Sequence, residues 1–115
     1  MNRKELVKTL FYHTSDFVRN KDPKLAKEIV LILTELNAMK DVKTFIELAK
    51  EVNFDLIDDI EYDVIETLAY IVDTISMFDD EDDGDAYYLY VMSCKLMYCI
   101  EVLLGKKLEE IVLQS

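Results

Sequence analysis

Two glycines and one proline in 115 residues leave this chain very few places to turn tightly. Strand-rich folds need turn residues at short intervals, so the scarcity restricts the chain to long helices joined by short connections. Apolar residues make up 51% of the sequence, enough to fill a core without disulfide or metal staples. The expected fold is therefore all-α. It is a single helical domain over residues 1–115, a compact bundle of five to six helices with a central apolar helix near the C-terminus.

The helix boundaries follow from capping chemistry. Asn2 is placed to cap helix 1, with Glu5 three residues later. Leu6, Val7, Leu10, Phe11, Thr14, Phe17 and Val18 then fall on one stripe at helical spacing, and Arg3, Lys4, Lys8 and Arg19 lie off it. Asp22-Pro23 marks the next start, since proline at the first helical position loses no hydrogen bond. Helix 2 turns Leu25, Ile29, Ile32, Leu33 and Leu36 inward and ends over residues 37–40. Asp41 caps a shorter helix 3 carrying Val42, Phe45, Ile46, Leu48 and Ala49. Helix 4 is expected to begin over residues 53–55 and to run to about Phe78. Its core stripe is Ile57, Ile60, Val64, Leu68, Ile71, Ile75 and Phe78, cleanly separated from an acidic face.

Charge is distributed very unevenly. Residues 51–94 hold fourteen of the 24 acids and no Lys or Arg. The remaining ten acids are outnumbered by the thirteen bases, so the net charge of -11 resides in this block. On helix 4, Asp55, Asp58, Asp59, Asp63, Glu66 and Asp73 gather on one side with Tyr62 and Tyr70 among them. The connection Asp79-Asp80-Glu81-Asp82-Asp83-Gly84-Asp85 follows, with Gly84 as its turn residue and Asp85 as the next cap. Like charges one turn apart cost a few tenths of a kcal/mol per pair. A helix carrying this row without an interleaved lysine gives up stability for it.

Helix 5, Ala86–Leu104, is apolar on all sides. It has the length of a membrane span, yet it contains Ser93, Lys95 and Glu101 and reads as a buried core helix. Gly105 ends it, and Leu108, Ile111, Val112 and Leu113 make a last short helix or docked tail. Cys94 and Cys99 point in different directions on helix 5 and read as reduced core thiols. The N-terminus opens an amphipathic pattern rather than a signal peptide, so a cytoplasmic protein is expected.

Three function classes fit the acidic block. In the first, Asp79, Glu81, Asp83 and Gly84 match the opening of an EF-hand loop. Position 12, where a bidentate carboxylate is needed, is Tyr90. In the second, Asp55-x-x-Asp58 and Asp80-x-x-Asp83 have the spacing of helical magnesium pyrophosphohydrolases, but lack a nearby base for the phosphates. His13 is the only histidine, and Ser15 and Ser76 have no base beside them, so no catalytic residues are assigned and no cofactor is expected. The third class is recognition. Carboxylates repeating every ~5–6 Å along a helix imitate a phosphate backbone, and tyrosines supply anchors. This surface chemistry resembles that of nuclease-toxin immunity proteins and of phage or plasmid inhibitors of host nucleases.

The expected function is thus a non-catalytic inhibitor or immunity-type protein. Its partner is a basic protein surface, such as a nuclease or other nucleic-acid-binding protein. Asp55, Asp58, Asp59, Tyr62, Asp63, Glu66, Tyr70, Asp73, Asp79, Asp80 and Asp82 form the docking face. So negative a chain is repelled by nucleic acid and by anionic membranes, and neither is an expected partner. Surplus apolar surface on helix 5 also fits a homodimer, or a structural subunit of a larger helical assembly. The plainer explanation is an acidic surface that only keeps the chain soluble.

Overall fold

The computed structural model describes residues 2–52, 54, 59–77 and 83–113. Within them the chain forms α1 (Arg3–Asn20), α2 (Pro23–Leu36), α3 (Val42–Ala49), α4 (Ile60–Met77), α5 (Asp83–Leu104) and α6 (Leu108–Val112), with no strand among the described residues. The radius of gyration, 13.0 Å, is that of a compact globule of this length.

Side-chain caps set the first three helix starts. The Asn2 carboxamide oxygen accepts from the Glu5 backbone N–H at 2.9 Å, and the Asp22 carboxylate from that of Lys24 at 2.9 Å. Asp41 accepts from the Thr44 backbone at 2.7 Å, which holds its carboxyl below the usual carboxylate range. Each bond satisfies a donor that the first helical turn leaves without a partner.

The helices pack as two pairs with smaller elements closing the ends. α2 packs against α1, α3, α5 and α6, while α4 packs against α5 along its length and against α1. α4 and α5 run antiparallel: Tyr70 meets Tyr88 edge-on with ring centroids 6.4 Å apart, while Asp63 lies near Cys99. Leu10, Phe17, Ile29, Leu33, Val64, Ile71, Leu96 and Ile100 form the fully buried centre. Most inward positions anticipated on α1, α2 and α3 are buried or half-buried; Phe11 (49% exposed) and Leu48 (38%) are not.

α5 is the apolar helix near the C-terminus that the pattern anticipates. It is long and apolar enough to cross a membrane, and here it packs against α4 and α2. Its polar interior group is Ser93, which donates to the Leu89 carbonyl at 2.7 Å and accepts from the Asn37 carboxamide at 2.9 Å. That carboxamide also donates to the Leu33 carbonyl at 2.8 Å, tying the end of α2 to α5. Gly105 ends α5 in the left-handed region with φ 74°. Beyond it, Glu101 accepts from the Leu108 backbone N–H at 3.0 Å, and Lys50 pairs with Glu109 at 2.6 Å, fixing α6 beneath α3.

Two boundaries differ from the sequence expectation. α4 begins at Ile60 rather than over 53–55, because Asp59 is its cap, accepting from the Tyr62 backbone N–H at 3.2 Å. Phe54 precedes the helix and packs on Tyr98 of α5, 6.1 Å between ring centroids. α5 begins at Asp83, so Gly84 and Asp85 belong to its first turn and are not the turn residue and cap expected of them. Ile57 and Phe78, anticipated in the core, lie outside the described residues.

The end of α2 carries a testable strain. Ala38 sits at φ 54° and completes a paired terminus, its N–H bonding to Glu35 and that of Met39 to Thr34, both at 3.0 Å. This is a position where glycine is ordinarily found, since a Cβ in the left-handed region costs roughly 1–2 kcal/mol. Ala38→Gly should raise stability by about 0.5–1 kcal/mol after the entropy of glycine is subtracted. Urea unfolding with an unchanged m-value is the check; a lower midpoint contradicts the assignment.

Candidate protein-interaction surface

The outer side of α4 is built by the same periodicity that fills its inner side. With Val64, Thr67, Leu68, Ile71 and Thr74 buried, the intervening positions must face out. Tyr62 (61% exposed), Ile65 (59%) and Tyr70 (44%) do so, as do Ala69 and Asp73, with Glu66 half-buried beside them. The separation of faces is therefore less clean than the pattern suggested: Ile65 and Ala69 stand among the acids. Tyr62 donates its hydroxyl to the Glu66 carboxylate one turn on, and that bond and charge raise its pKa.

The anticipated docking residues divide into three groups. Tyr62, Glu66, Tyr70 and Asp73 share the outer surface of α4. Asp59 and Asp63 have structural duties: Asp59 caps the helix, and Asp63 is half-buried where α4 meets α5. Both Asp63 and Lys95 act electrostatically on Cys99, in opposite directions, so a base does lie close to the acidic helix in space. Lys21 provides another, 3.7 Å from Glu61. Asp55, Asp58, Asp79, Asp80 and Asp82 lie outside the described residues, as does Glu81.

Sequence reasoning missed the contribution of α5. Tyr87 is 71% exposed, and Tyr88 joins Tyr70 across the two helices. Tyr98 and Val102 are exposed on the same side of α5. Of the seven tyrosines in the chain, Tyr62, Tyr70, Tyr87, Tyr88 and Tyr98 are exposed on this pair of helices. A helix apolar all round gives no periodic signal of which side is buried, so nothing in α5 alone marked the stripe.

Of the cation-binding readings, the candidate ligands Asp79 and Glu81 lie outside the described residues. Residues 83–90, which complete the EF-hand match, are helical, where a calcium loop must wrap its ligands around the ion. Asp55, Asp58 and Asp80 of the magnesium-type motifs lie outside the described residues. Among the described residues no group of three or more His, Cys, Asp and Glu is placed to hold a metal. His13 lines an open hollow of about 320 Å³ between α1 and α2 with Thr9, Glu28 and Glu35. Compared with family models, curated proteins and solved structures, the chain matches none.

The two thiols behave as core groups. Cys94 and Cys99 are both buried and free. Burial pushes the Cys94 thiol up to about 11, against a hydrogen bond from Tyr90 that favours the thiolate. Burial, helped by Asp63, pushes Cys99 up to about 11, and Tyr90 is raised by burial to about 12. An exposed thiol ionises near about 8.5, so the unfolded chain releases these protons first. Stability from the neutral thiols is fully present below that pH and is lost as pH rises through about 11. Urea melts across this range should show a steep decline, shallower in a Cys94→Ala/Cys99→Ala variant. Equal slopes for the two proteins contradict the burial account.

Proposed function

We propose that this chain is a non-catalytic interaction protein of the inhibitor or immunity type, which blocks a basic, nucleic-acid-binding protein in the cytoplasm. The observation that carries this reading is the outer surface of α4, where Tyr62, Ile65, Tyr70 and Asp73 are exposed side by side with the half-buried Glu66 among them. Aromatic groups with short, rigid side chains supply contact area at low entropic cost. The acids beside them set up a field that speeds encounter with a basic surface and selects against acidic ones.

A purely solubilising surface accounts for the charge but not for its company. Solubility favours interspersed charges and few exposed large apolar groups. Here two tyrosines and an isoleucine on one helix are each more than two-fifths exposed, and α4 carries no lysine or arginine at all. Both features suit an occupied face better than a bare one.

The experiment uses Glu66→Lys/Asp73→Lys, two changes on the outer side of α4 that avoid the Asp59 cap and the Asp63 carboxylate near Cys99. The immobilised wild-type chain should retain a basic protein from a low-salt lysate of its own host, released by added DNA. The double variant should bind it about tenfold or more weakly, a loss of roughly 1.4 kcal/mol, with stability within about 0.5 kcal/mol of wild type. Retention of the same proteins by both variants overturns the proposal.

A further inference from the structure

We propose, resting on the interaction reading above, that the partner enters as a single amphipathic helix with a basic edge, laid along the furrow between α4 and α5. The floor of that furrow is the exposed side of α5. Tyr87, Val91, Lys95, Tyr98 and Val102 succeed one another at steps of four, four, three and four residues, the spacing that keeps side chains on one face of a helix. Tyr87 is 71% exposed, Val102 49% and Tyr98, which packs on Phe54 at the far edge of the stripe, 43%; Val91 and Lys95 are half-buried, and α5 elsewhere is packed on α4 and α2. Lys95 is the one charge in the stripe, and it and Asp63 of α4 both lie close enough to Cys99 to act on it.

The acidic surface of α4 forms one bank of this furrow. The Tyr70–Tyr88 edge contact makes the two surfaces continuous, so the stripe on α5 passes directly into Tyr62, Glu66, Tyr70 and Asp73. From Tyr87 to Val102 the stripe runs roughly 22 Å at about 1.5 Å per residue. That is the footprint of a helix of about four turns, read by anchors at i, i+4 and i+7.

Charge complementarity selects the occupant. A second copy of this chain brings the same carboxylates and a net charge of -11 against the first, a repulsion that opposes self-association. A helix with leucine-like anchors on one side and Lys or Arg along the adjoining edge satisfies the tyrosine floor and the acidic bank together.

The test uses two synthetic peptides of about 18 residues and identical composition. One places its leucines on a single helical face with lysines and arginines beside them; the other scrambles them. Binding is read by fluorescence anisotropy at physiological salt. The amphipathic peptide should bind about tenfold tighter than the scrambled one. Tyr98→Glu and Val102→Glu, exposed positions whose folding is checked by circular dichroism, should each abolish that preference.

Equal binding of the two peptides, weakened by Glu66→Lys/Asp73→Lys, overturns the furrow while leaving the acidic face as a binding surface. Binding of neither peptide overturns it as well, and retention of a host protein that still depends on Glu66 and Asp73 then shows that the broader reading survives. A dimer in light scattering that Val102→Glu dissociates assigns the furrow to a second copy and also overturns the proposal.

Discussion

The burial of α4 against α5 and α1 is the interaction on which the rest of the molecule depends. α4 carries Glu61, Asp63, Glu66 and Asp73 and no base, and Asp59 caps it. Like charges at one-turn spacing cost a few tenths of a kcal/mol per pair. A fully buried Val, Leu or Ile contributes about 1.5–3 kcal/mol, and α4 buries Val64, Leu68 and Ile71 almost completely. Burial therefore exceeds repulsion several times over. The acidic row is tolerated because the other side of the same helix is core, and α4 would not hold its shape as an isolated segment.

That balance also explains the buried hydroxyls. Thr34, Thr74 and Ser93 each donate to the carbonyl four residues back, at 2.7 Å. Such bonds let a small polar side chain occupy a core position without losing a partner. Thr14 and Thr67 are as deeply buried, yet their hydroxyls have no partner among the described residues. Burying a hydroxyl unsatisfied costs roughly 1–3 kcal/mol, so the surrounding apolar contacts carry these two. In Ser93 the same hydroxyl also receives Asn37, which converts a local bond into a link between α2 and α5.

The parts of the fold legible in the sequence are those decided by local chemistry. Asn2, Asp22 and Asp41 cap where they were expected to, since each stands alone ahead of an amphipathic stretch. The start of α4 was not legible. Asn53, Asp55, Asp58 and Asp59 all have the short polar side chain a cap requires, and local chemistry does not choose among them. For the candidate surface, period-3.6 patterning placed Tyr62, Glu66, Tyr70 and Asp73 on the outer side of α4 correctly. It failed for Ile65 and Ala69, which the contrast between acids and apolar residues had no means to place. It was silent on α5, because a helix with nearly uniform hydropathy has no preferred side until α4 and α2 cover one. Lys21 beside Glu61 and Lys95 near Asp63 are consequences of topology, invisible to a linear count of charges.

The division between α4 and α5 separates two tasks that a binding surface must perform at different distances. Charges act over a Debye length of about 8 Å in physiological salt, so the carboxylates on α4 influence an approaching partner before contact. Tyrosines act only on contact, through area and desolvation. In the proposed complex, the field of the acids on α4 would draw a basic partner toward that helix, and the exposed tyrosines of α4 and α5 would hold it on contact. Interspersing lysines would stabilise α4 through i,i+4 pairing, but it would cancel that field at the range where it acts. The lack of any base on α4 makes physical sense where steering is worth more to the molecule than the few tenths of a kcal/mol each such pair returns.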